Sequence, residues 1–123
     1  MADVLAAGQG YTITLHAVAD PAEAGRSNQP RAGFRQVAFE VTVTNTGSAM
    51  FSANAGAFRV VASGGPEHLM FSRGVAPQLE TAGLGPGASA RGWVTFHVDD
   101  RAVLTGLTYT LLATASSVTF ALR

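Results

Sequence analysis

Gln36-Val37-Ala38-Phe39-Glu40-Val41-Thr42-Val43-Thr44 alternates apolar and polar or small residues along its whole length. Val37, Phe39, Val41 and Val43 point one way; Ala38, Glu40, Thr42 and Thr44 point the other. Successive side chains leave a strand on opposite faces, so this run predicts a strand with one face in a core. Its β-branched and aromatic residues favour the same state. Asn45-Thr46-Gly47 then supplies turn chemistry, because Asn and Gly tolerate the positive φ a turn can demand.

The same period recurs on both sides. Tyr11, Ile13, Leu15 and Ala17 share a face, with Thr12, Thr14 and His16 opposite. Residues 57–62 carry Phe58 and Val60, and 67–71 read as the hairpin return after Ser63-Gly64-Gly65-Pro66. Gly83-Leu84-Gly85-Pro86-Gly87 reads as a rigid turn. The strand after it, 90–98, turns Val94, Phe96 and Val98 inward. Residues 106–112 and 117–122 complete the set, and Asp99-Asp100-Arg101 is loop. Asp20-Pro21-Ala22-Glu23 has the form of a helix start: a capping Asp, Pro at the first position and Glu three residues on.

About seven short strands with turn residues between them predict an all-β, immunoglobulin-like antiparallel β-sandwich. Greek-key connections are expected, since the links 20–35 and 71–89 are long enough to cross between sheets. The 123 residues make one domain, 1–123, with residues 1–9 expected to be a flexible amino-terminal segment.

Composition narrows function. The chain is 47% hydrophobic and 13% charged, with zero formal net charge. A nucleic-acid partner is disfavoured, because phosphate binding needs a basic surface. All eight cations are Arg, so neither a Schiff-base lysine nor a P-loop lysine exists. There is no Cys, hence no disulfide or thiolate chemistry. No apolar run is long enough for a transmembrane segment. Met1-Ala2-Asp3 is acidic and precedes no apolar core, so no signal peptide is expected in this chain.

Four motifs then occur in order: Val41-Thr42-Val43-Thr44-Asn45-Thr46-Gly47, Phe58-Arg59-Val60-Val61, Leu84-Gly85-Pro86-Gly87, and Arg91-Gly92-Trp93-Val94-Thr95-Phe96-His97-Val98. Over about residues 10–112 this order resembles a bacterial family of secreted, often lipid-anchored, immunoglobulin-like domains of unknown molecular function. It is also similar to the mycobacterial secreted immunoprotective antigen family. The resemblance implies an extracellular or cell-envelope domain with no established catalytic residues. At the amino end neither a leader nor a lipid-bearing Cys is expected in this chain, a departure from the family pattern.

No enzyme is expected. A hydrolytic triad needs Ser, His and an acid in convergence, and no Gly-x-Ser-x-Gly elbow is present. No cofactor motif appears. Trp93, Thr95 and His97 share one face of their strand and form the first binding candidate, with Trp93 as anchor. If residues 71–83 cover that face, Trp93 belongs to the core instead. Arg59 and Arg91 are candidate rim contacts, and Glu40, on the outward face of its strand, is expected to face water or to pair with one of them. Met50 and Phe51, on a loop of small residues, are the second binding candidate. His68-x-Met70, with Met50 as a further ligand, is an alternative Cu(I) site, since imidazole and thioether suit a soft cation. That spacing is similar to envelope copper chaperones, but their second His-and-Met set is not reproduced. An exposed His beside a core-filling Met accounts for the same pair.

These readings make the chain a non-catalytic binding or adhesion module with a protein or cell-wall partner. The alternatives are a Cu(I) carrier and a structural assembly subunit, the last implying a homo-oligomer joined through sheet edges.

Overall fold

The computed structural model describes residues 4–8, 10–22, 29–63, 67–69, 74–111 and 116–122. They form an all-β sandwich of two four-stranded antiparallel sheets and a small two-stranded one. In chain order the strands are β1 (Val4–Gly8), β2 (Tyr11–Ala19), β3 (Phe34–Asn45), β4 (Phe51–Ala53), β5 (Phe58–Ala62), β6 (Glu67–Leu69), β7 (Ala82–Leu84), β8 (Ser89–Asp99), β9 (Leu104–Leu111) and β10 (Ser116–Ala121). One large sheet runs β1-β2-β3-β8 and the other β10-β9-β5-β6, while β4 pairs with β7.

The long alternating run forms the middle of the first sheet. β3 pairs with β8 from Phe34 opposite Asp99 to Thr44 opposite Ser89. Val37, Phe39, Val41 and Val43 are fully buried, as are Val94, Phe96 and Val98 across from them. Phe39 and Phe96 meet edge-on, ring centroids 5.9 Å apart. From the second sheet, Phe58, Val60, Leu107 and Tyr109 close the core. Tyr11 of β2 bridges the sheets, its ring 5.4 Å from that of Tyr109, which in turn lies 4.7 Å from Phe58. Each such side chain contributes roughly 1.5–3 kcal/mol by leaving water.

Four expectations change. Residues 4–8, expected to be flexible, form strand β1 on β2, with Val4 opposite Leu15 and Gly8 opposite Tyr11. The face expected to include Ala17 shifts at a bulge between Leu15 and Ala17. One extra residue flips the alternation, so Ala17 pairs with Glu40 and Val18 with Phe39. Residues 20–22 are bend and coil rather than the start of a helix. There the Ala22 amide donates to the Gln36 carbonyl at 2.7 Å, and the Asp20 carboxylate accepts from Arg35 instead of capping. Residues 23–28 lie outside the described residues. Finally, Phe51 and Leu84, placed in a loop and a turn, are opposite each other in the β4–β7 pair.

Asn45 ties the sandwich end together. Its buried side-chain amide donates to the Ala49 and Leu84 carbonyls, both at 2.8 Å, and its oxygen accepts from the Gly47 amide at 2.9 Å. At Gly47 a Cβ would lie 3.4 Å from the Gly10 backbone, an ordinary van der Waals contact. Positive φ occurs instead at Gly87, +83°, inside the expected Pro-Gly turn.

Candidate functional site

Two places on the sandwich present chemistry. The first is the outer face of β3 and β8. Strand alternation sends Arg91, Trp93, Thr95 and His97 away from the core, opposite Thr42, Glu40, Ala38 and Gln36. The Arg91 guanidinium Nε donates to Glu40 Oε2 at 3.1 Å, which decides among the alternatives left for Glu40. Trp93 stands directly across from Glu40 and is half-buried. His97 Nε2 lies 2.9 Å from Gln36 Oε1, so the neutral ring donates its proton to that oxygen. Burial pushes the His97 pKa below its ordinary value. On β2, His16 Nε2 lies 2.7 Å from Thr42 Oγ1.

The segment after residue 73 runs along this face's border. Trp93 donates its amide to the Pro77 carbonyl at 2.9 Å and accepts from the Leu79 amide at 3.0 Å. The β8 edge is therefore paired locally, in a parallel bridge between Gln78 and Trp93. Gly74 packs onto Thr95, whose Oγ1 accepts from the Val75 amide at 3.1 Å and which is only 2% exposed. The stripe Trp93-Thr95-His97 is thus interrupted: Thr95 is covered, while Trp93 and His97 stay half-buried on either side of it.

The second place is a cleft of about 490 Å³ at one end of the sandwich, where β2 of one sheet parts from β9 and β10 of the other. Leu15, Leu104 and Phe120 form its buried floor. Val18, 38% exposed, and Val103, 56% exposed, stand at its mouth. Asp20 and Arg35 are the charged lining residues.

Arg35 is fully engaged. Nε donates to Asp20 Oδ1 at 2.7 Å and Nη2 to Asp20 Oδ2 at 3.2 Å. Nη1 donates to the carbonyls of Asp99 (2.8 Å) and Asp100 (2.9 Å), and Nη2 to that of Ala102 (2.9 Å). A guanidinium has five N–H donors, and these five acceptors take them all. The hydrogen bond to Asp20 raises the Arg35 pKa; burial opposes it, and the charges of Asp20, Asp100 and Asp99 add to the rise. The sequence carries no mark of this clamp, because Asp20 and Arg35 are separated by a long link and Asp20 reads locally as a helix cap.

The other candidates are scattered. Met50 is 71% exposed, next to β4. Phe51 opens β4, but its side chain lies outside the described residues, as does that of His68 in β6; Met70 lies outside them entirely. Among the described residues, no three His, Cys, Asp or Glu side chains gather as metal ligands.

With this geometry the sandwich can be set beside solved structures. A Bacillus subtilis protein, ycdA, assigned as a lipoprotein, matches with a TM-score of 0.77 at 14% identity, over 98% of this chain and 39% of its own. A functionally unknown Listeria monocytogenes protein matches with a TM-score of 0.66 at 10% identity, over 98% of this chain and 81% of its own. The secreted Mycobacterium tuberculosis protein MPT63 matches with a TM-score of 0.63 at 11% identity, over 98% of this chain and 92% of its own. The chain is similar in fold to all three. The resemblance read from the four motifs holds at that level, and the chain spans about two-fifths of the length of the Bacillus protein. No protein-family model matches the chain, and no curated protein sequence matches it. Among the described residues no helix is long and apolar enough to cross a membrane.

Proposed function

We propose that this domain is a non-catalytic binding module of the cell exterior or envelope, engaging a protein or cell-wall component through the outer face of β3 and β8. One observation carries the reading: half-buried Trp93 stands across from Glu40, which is itself held by Arg91. A partly exposed indole beside a charged pair is the composition of an interface anchor and its rim. The likeness to a secreted protein and to one assigned as a lipoprotein supports the compartment.

The test is retention of the purified domain on isolated cell-wall and envelope-protein fractions, for wild type, Trp93→Ala and Glu40→Arg. Retention by wild type that is lost in both variants, with unchanged thermal midpoints, is expected. Equal retention of all three, or none by wild type, overturns the reading. Assembly through sheet edges is a second reading, favoured by Leu5, which is 66% exposed on β1 at the end of its sheet. A sedimentation dilution series on wild type and Leu5→Arg separates it: a dimer lost in the variant supports assembly, and a monomer at every concentration removes it.

A further inference from the structure

We propose that the cleft between β2 and β9–β10 is a ligand site for a small amphiphile with an apolar chain and a cationic head. This inference does not depend on the outer face. Its first support is shape and lining. At about 490 Å³ the cleft falls in the range of small-ligand sites, roughly 300–1,000 Å³. Leu15, Leu104 and Phe120 make an apolar floor that continues the core. Val18 and Val103 leave apolar surface exposed at the mouth, which an alkyl chain would remove from water.

The second support is charge. An anionic head needs a donor, and the cationic lining residue has none to give, since all five Arg35 donors are taken within the protein. Asp20, Asp99 and Asp100 all act on Arg35 through their charges. Three carboxylates thus act electrostatically on the one cation that lines the cleft among the described residues. A cationic head meets attraction there and an anionic one meets repulsion. A neutral head gains neither.

Decyltrimethylammonium, decanoate and decanol, each below its micelle or solubility limit, test this on the whole chain by methyl NMR titration. The expected result is one-to-one decyltrimethylammonium binding with shifts at Val18, Val103, Leu104 and Leu122. Decanoate should bind more weakly by on the order of tenfold, about 1.4 kcal/mol of head-group discrimination. Val103→Trp, at an exposed position, should block the mouth and abolish binding while leaving the thermal midpoint unchanged. Asp100→Arg should erase the preference for the cation without loss of fold, since no described bond of Asp100 uses its side chain. Decanoate binding as tightly as the cation, shifts confined to Leu5 or Met50, or no shifts with any probe would each overturn the proposal.

Discussion

The backbone of Leu79 occupies the space that a side chain on Gly92 would fill. A Cβ at Gly92 would lie 2.5 Å from the Leu79 nitrogen and 2.6 Å from its Cα. This closeness lets 77–79 hydrogen-bond to Trp93 and sends Leu79 into the core, where it is 4% exposed. Gly92→Ala must push backbone rather than a flexible side-chain tip. It should destabilise by about 1–3 kcal/mol, the usual cost of overpacking, and should shift the emission of Trp93. Denaturant unfolding with fluorescence detection checks both, and an unchanged midpoint would refute the contact.

Phe39 and Phe96 are fully buried, with facing rings on paired strands. Phe39→Ala and Phe96→Ala should each cost about 3–5 kcal/mol. The double variant should show coupling of about 0.5–1.5 kcal/mol, from the shared edge-on contact and cavity. Chemical denaturation of the four proteins measures it. A loss below about 1 kcal/mol for either single variant is incompatible with a native buried Phe.

The Tyr109 hydroxyl is buried without a hydrogen-bond partner among the described residues. Burial raises its pKa; the nearby Tyr11 adds to the rise, and the Asn54 backbone, close but outside hydrogen-bonding geometry, opposes it. Removing an unsatisfied buried hydroxyl takes away a desolvation cost and keeps the ring. Tyr109→Phe should therefore be at least as stable as wild type, to within about 1 kcal/mol. A larger loss by calorimetry would mean that the hydroxyl makes a bond.

His97 gives a pH dependence. Burial lowers its pKa from 6.5, so the unfolded chain takes up this proton first as pH falls. The stability contributed by neutral His97 is complete above about pH 6.5 and is lost as pH falls toward the lower folded-state value. Unfolding free energies of wild type and His97→Gln should accordingly converge between about pH 7.5 and 5, in wild type's disfavour. A difference that stays flat over that range would contradict the effect.

Which elements were legible follows from how local their causes are. β3 and β8 announce themselves because long apolar alternation has one solution, a strand half in a core. β4 and β7 have three residues each, too few for a period. Gly83 has no side chain to show one, so their pairing appears only where Asn45 draws the two loops together. The bulge at Leu15–Ala17 is equally silent, since His16-Ala17-Val18 suits either phase until β3 fixes the register.

Alternation and turn residues alone settled the all-β class, the inward faces of the central strands and the Pro-Gly reversal, because side-chain period and backbone φ preferences act between near neighbours. The same alternation put Glu40 on the outward face, and the structure chose Arg91 as its partner. Only the tertiary structure decided that Thr95 is covered, that Trp93 and His97 remain partly open, and that Asp20 and Arg35 close on each other beside an apolar cleft. Those outcomes depend on which distant segments the core packing brings into contact, and no local preference encodes that.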